Sequence, residues 1–272
     1  MLTRLAERGI TDTPLHKEWA EIRQADPDEV EFCLAAARLG LDPYAEAEPY
    51  EQLIVRAANE LQGNLFGDFL DAVEPATMGD ALEWIRAARS TIVQATGATA
   101  AIELRQKIRA PQVSPGDRSW EKGWSQARAV RQALGLSGEE VFSLTPYIST
   151  IDGTPADRGL QAVAGTAEGA GPLAVIEPDR PISSRRFTLS RALWHYLWES
   201  EALFLVTSAY TDRQKVERAF AAELLAPADG IRELLGDAPE SAVQDDLEGI
   251  ADHFQVSPMV IKHQLENQLL VA

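Results

Sequence analysis

"FTLSRALWHYLWES", residues 187–200, places Leu189, Leu193, Tyr196 and Leu197 on one helical stripe, so it reads as a helix with a buried face. His195 follows Arg191 by about one turn, and side chains four apart on a helix project from the same face. Two histidines so placed can both reach one zinc ion. A glutamate directly after the first can take a proton from the metal's water. Here the first of those positions is Arg191 and the next is Ala192. Arginine stays cationic and has no lone pair for a metal, and alanine cannot act as a base. The helix holds one of the three groups, so its neighbours must say what frame it belongs to.

Downstream, "DRQKVERAFAAELLAP" (212–227) reads as a helix stopped by Pro227, and "LEGIADHFQVSPMVIKHQLENQLL" (247–270) as two short helices around "QVSP". Upstream, "VFSLTPYISTID" (141–152), "LQAVAGTAE" (160–168) and "GPLAVIEPD" (171–179) are β-rich pieces between Gly and Pro turns. They predict a small sheet of about three strands over 141–177, with the glycines of "VAGTAEGAGP" in a hairpin loop. "WEKGWSQARAVRQALGLS" (120–137) is a helix closed by Gly135.

The first 110 residues read as helices throughout. "DPDEVEFCLAAARLG" (26–40) has acidic residues at its start and Gly40 at its stop. Thr77 is placed to cap the helix in "TMGDALEWIRAARSTIVQATG" (77–97), with Gly97 at its stop. "PQVSPGDRS" (111–119) has linker composition. The expectation is an α+β protein with an all-helical domain over 1–110, a linker over 111–119, and a second domain over 120–272. That second domain holds the sheet, the His195 helix and a closing helix pair.

Composition narrows the function classes. Forty-two acidic side chains against 25 basic ones leave a net charge of −17, spread along the chain. Such a field repels nucleic acid and anionic lipid. One cysteine, Cys33, allows neither an intrachain disulfide nor a cysteine-based metal cluster. The N-terminus lacks an apolar stretch of signal-peptide length, and runs such as "ALFLVTSAY" (202–210) are too short to span a bilayer. A cytoplasmic protein without membrane partners is expected.

The order of elements from about Arg118 onward, with "RRFTLSRALWHYLW" (185–198), "QKVERAFAAELLAP" (214–227) and "IADHFQVSPMVIKHQL" (250–265), resembles the ImmA/IrrE family of zinc-dependent peptidases. The resemblance covers a little over half the chain and implies a zincin-like fold for 120–272, with a helix-turn-helix-like pair at its end. Carried over residue by residue, the family's first histidine is Arg191, its general base is Ala192, its second histidine is retained as His195, and its third ligand falls on Gln214. Trp194 stands where the family has a small glycine. A neutral Gln oxygen is a poorer zinc ligand than a carboxylate, so no catalytic or metal-ligating residue is assigned and no cofactor is expected.

The resemblance therefore implies a non-catalytic, regulatory relative. Arg191, Trp194, His195, Gln214 and Glu217 are the candidate lining of a remnant groove, with Arg191 paired to Glu217 or another acid. Family members act on helix-turn-helix repressors in mobile-element control, stress responses or phage defence. A protein of that kind is the expected partner.

Two other readings stand beside this one. His195 and Glu199 are one turn apart and Glu217 shares nearly the same face of its helix as Gln214, so a relocated zinc site and a divergent metallopeptidase are conceivable. The blander expectation bonds His195 to backbone through one ring nitrogen and leaves the two glutamates solvated or paired with Arg191 and Arg218. Separately, the closing helix pair has the outline of a DNA-binding unit that would expose Lys262, His263 and Gln264. Asp245, Asp246, Glu248 and Asp252 flank it with the wrong charge for DNA.

Overall fold

The computed structural model describes residues 4–5, 7–10, 13–24, 26–110, 118–167, 169–236 and 243–270. They fall into two compact units, residues 1–61 and 62–272. The first unit holds α1 (Pro14–Gln24), α2 (Pro27–Arg38) and α3 (Glu51–Glu60). The Asp26 carboxylate caps α2 by accepting from the backbone N–H of Asp28 at 2.9 Å, and Pro27 occupies the first turn, where its missing N–H costs nothing.

The second unit begins with α4 (Asn64–Leu70), α5 (Met78–Gln94), α6 (Ala100–Lys107) and α7 (Ser119–Leu134). Its sheet is β1 (Ser149–Asp152), β2 (Leu160–Thr166), β3 (Pro172–Ile176) and β4 (Leu203–Thr207), with α8 (Ile182–Trp198) between β3 and β4. After β4 come α9 (Asp212–Leu225), α10 (Ala228–Leu235), α11 (Gln244–Phe254) and α12 (Pro258–Gln264). The fold is α+β. The units divide at 61/62 and not near 110, because α4 and α5 pack on the strands and α6 packs on α7. Residues 111–117 of the expected linker lie outside the described residues.

Four strands form the sheet, in the order β1-β3-β2-β4, where about three were expected. β1 runs parallel to β3, and β2 is antiparallel to both β3 and β4. The additional strand comes from "ALFLVTSAY". Helices cover the sheet on both faces, so Phe204, Leu205 and Val206 are all buried and the run shows no polar alternation. Ala162, Ala164, Ala174, Ile176, Phe204 and Val206 share a core with Leu189, Ala192 and Leu193 of α8. By alternation, Val163, Val175 and Leu205 turn to the opposite face, where α4 and α5 lie.

Helix α9 packs most extensively on α7. Gly123 permits it: a Cβ there would stand 2.3 Å from the Val216 carbonyl oxygen. Thr77 does not cap α5 with its side chain; its hydroxyl donates to Glu74 O at 3.1 Å and also engages Asp157. Among the described residues no helix is long and apolar enough to cross a membrane.

Candidate functional site

Helix α8 lies between the sheet and α9, so its central residues cannot reach water. Arg191, His195, Gln214 and Glu217 are each 1% exposed and Trp194 is 3% exposed. These five residues therefore do not line an open groove. Three of them, Arg191, His195 and Glu217, bond to one another in a buried polar network, while Gln214 and Trp194 are bonded elsewhere.

Glu217, from α9, is the centre of that network. Its Oε1 accepts from Arg191 Nε at 3.0 Å and from Arg191 Nη2, and its Oε2 meets His195 Nε2 at 2.5 Å. Arg191 donates further to Gln161 Oε1 of β2 at 2.7 Å and to the Thr207 carbonyl of β4 at 2.6 Å. One guanidinium thus ties α8 to α9 and to two strands. The expected Arg191–Glu217 pair is present. Glu199 pairs with Arg213 and His195 and not with Arg218.

His195 is bonded through both ring nitrogens to carboxylates, where one bond to backbone was expected. Nδ1 lies 2.8 Å from Glu199 Oε2. Arg213 links the outer part: its Nε donates to Glu199 Oε1 at 2.9 Å, its Nη2 to Glu201 Oε2 at 2.8 Å, and its Nη1 to Asp68. Gln214 donates to Asp68 Oδ1 at 2.7 Å, while its own oxygen accepts from the Thr211 N–H at 3.2 Å, closing the capping box of α9. Gln214 is held by the helix start and does not join Arg191, His195 and Glu217. Trp194 leaves this network too, donating from Nε1 to Gln126 Oε1 at 2.8 Å.

Burial and charge compete at each titratable group. For His195, burial works against the imidazolium, but the Glu217 charge and the hydrogen bonds to Glu199 and Glu217 override it, and the pKa is raised. Each ring nitrogen faces a carboxylate oxygen, the geometry in which the charged ring donates from both sides. Arg213 Nη2, 3.1 Å from Nδ1, is a second cation that opposes it. Burial pushes Glu199 up, yet His195 and Arg213 hold it down at about 2. Glu217 is likewise lowered, against its burial, by Arg191 and His195. Asp68 goes the other way: burial raises it in spite of Arg213.

Zinc does not fit this arrangement. Arg191 and His195 already engage both oxygens of the Glu217 carboxylate. Glu199, His195 and Glu217 do meet, but as a line, one carboxylate on each side of the ring. Among the described residues, no trio of His, Cys, Asp or Glu converges on a point.

Of the three residues the closing pair was expected to expose, two are exposed. Lys262 and His263 are exposed, each within 4 Å of Glu266. Gln264 is not exposed: it is buried and donates to Glu223 Oε2 at 2.8 Å and to Ala226 O at 2.9 Å. The buried Glu223 carboxylate, also bonded by Arg128 and Gln268, pins α12 to α9 and turns Gln264 inward.

Sequence reasoning missed Asp68, Gln161, Thr207, Glu201 and Arg213. Arg213 alone had a local signal, adjoining Gln214 in the α9 motif. No family model matches the chain, and no curated protein is significantly similar to it.

Proposed function

We propose that this chain is a non-catalytic relative of the ImmA/IrrE peptidases, a cytoplasmic regulator that holds a protein partner without cutting it. A helix-turn-helix repressor is the class of partner the resemblance points to. One observation carries the reading: Arg191 and His195 close on Glu217 where the motif comparison would put a metal and its base. The arrangement supplies no nucleophile and no exposed base, and burial of all five candidate residues directs a partner to another surface. Two readouts test the reading together. Protein purified from zinc-supplemented culture is expected to carry far less than one zinc per chain, and unfolded casein incubated with it is expected to stay intact. One zinc per chain, or casein cleavage abolished by Glu217→Gln, would favour the relocated peptidase instead.

A further inference from the structure

A cleft of about 410 Å³ is lined by residues of α7, α8, α9 and α12 and by Tyr210. That volume lies within the ~300–1,000 Å³ of ordinary ligand pockets. Four rings line it: Trp120 and Trp124 of α7, Phe187 of α8, and Tyr210 from the turn before α9. Ala219 and Ala222 contribute only methyl groups, which leaves room for an apolar side chain between the rings.

Its charge is opposite to that of the molecule. The chain has 42 acidic and 25 basic residues, yet no aspartate or glutamate lines the cleft while Lys215, Arg218 and His263 do. Lys215 Nζ and the Arg218 guanidinium lie 5.6 and 5.4 Å from the centre of the Tyr210 ring, which gathers both cations at one edge. Asp212 partners Lys215 at 2.9 Å, and Glu266 stands 3.7 Å from His263. Arg218 differs from both. Its Nη2 donates to the carbonyls of Thr207 and Ser208 at 3.3 and 3.1 Å, while its Nη1 is buried without a hydrogen-bond partner among the described residues. A buried donor left without an acceptor is destabilised, which an incoming acceptor would relieve.

We infer that this cleft binds an acidic peptide segment of a partner protein, an aromatic or aliphatic side chain between the rings and an adjacent carboxylate on Arg218 and Lys215. The inference rests on the reading that the chain holds a protein without cutting it. A peptide fits better than a nucleic acid. A polyanion meets the repulsion of a −17 chain along its whole length, whereas one carboxylate meets only the local cations.

The test uses the full chain and a capped pentapeptide with phenylalanine between two aspartates, followed by calorimetry. Saturable one-to-one binding is expected, weakened at least about tenfold when both aspartates are replaced by asparagine. A similar loss is expected from Lys215→Gln, and a smaller one from Tyr210→Ala at a ring that is 76% exposed and so separable from folding. Absence of saturable binding, equal affinity for the asparagine peptide, or displacement by an equimolar thymidine 12-mer would overturn the assignment. Mass spectrometry of the recovered peptide separates the two proposals. A cut peptide that still binds this cleft overturns the non-catalytic reading alone, and an intact peptide that never binds overturns the cleft alone.

Discussion

Arg191 and Arg218 share one acceptor, the backbone carbonyl of Thr207, at 2.6 and 3.3 Å. Arg191 reaches it from the buried network and Arg218 from the wall of the open cleft. β4 therefore ends on an oxygen that joins the sealed network to the accessible surface. Charge passes through the same place, since burial and the nearby Arg191 both lower the pKa of Arg218. An anion in the cleft would be felt by Arg218 first, and by Arg191 and Glu217 behind it.

Breaking the central pair should be costly. Arg191→Met leaves Glu217 buried with only His195 as partner, and loss of one member of a buried ion pair costs about 3–5 kcal/mol. Arg191→Lys should fall between, because an ammonium cannot serve Glu217, Gln161 and Thr207 in the fixed geometry of the guanidinium. Adding Glu217→Gln to Arg191→Met should restore part of the loss. Urea unfolding of the three variants and the wild type measures each step, and a cost below about 1 kcal/mol for Arg191→Met would contradict the network's role.

The pH dependence has a definite sign. Glu199 is lowered from 4.5 to about 2, so its contribution is full above its unfolded pKa and fades as pH falls towards 2. The shift corresponds to roughly 3 kcal/mol. His195 is raised, so its contribution is full below its unfolded pKa, about 6.5, and is lost as pH rises through the folded value. These two groups therefore favour the window between about pH 4.5 and 6.5. Unfolding free energy measured against pH should decline on both sides. His195→Gln should flatten the alkaline limb, and an unchanged alkaline limb would count against the doubly bonded imidazolium.

Trp194 should act through its indole N–H and not through ring volume alone. Trp194→Phe keeps most of the packing but leaves Gln126 Oε1, which is buried, without its donor. A cost of about 1–3 kcal/mol is expected from the unpaired acceptor, on top of the smaller side chain. The double variant with Gln126→Leu removes both polar partners and should recover most of it. A thermodynamic cycle over the four proteins gives the coupling directly.

Local signals made most helices legible. Asp26 with Pro27, and Gly135 at φ 70°, mark helix ends because caps are chosen by backbone groups within a few residues. The Arg191–Glu217 pair was among the expectations, with another acid left open as the partner, because the motif resemblance set these two helices side by side. What failed was long-range or symmetric. β4 is apolar on both faces, so periodicity could not mark it as a strand. Asp68 reaches Arg213 across 145 positions, with nothing local to announce it. Gln264 was placed outward because the helix pattern alone cannot show that a buried Glu223 waits for it.

The turn between α11 and α12 supplies a prediction independent of the buried network. Gln255 is exposed and adopts a left-handed conformation at φ 56°, the only non-glycine residue with positive φ among those described. Its N–H still closes the helix on Asp252 O at 3.2 Å, so the backbone needs this conformation while the side chain contributes no hydrogen bond to it. A β-carbon there costs roughly 1–2 kcal/mol, part of which glycine returns through the greater freedom of the unfolded chain. Gln255→Gly should therefore raise stability by about 0.5–1 kcal/mol, seen as a higher urea midpoint with an unchanged slope. Peptide affinity at the cleft should stay the same, since Gln255 is not among its lining residues. A lower midpoint would mean that the Gln255 side chain stabilises the helix pair in a way its surroundings do not show.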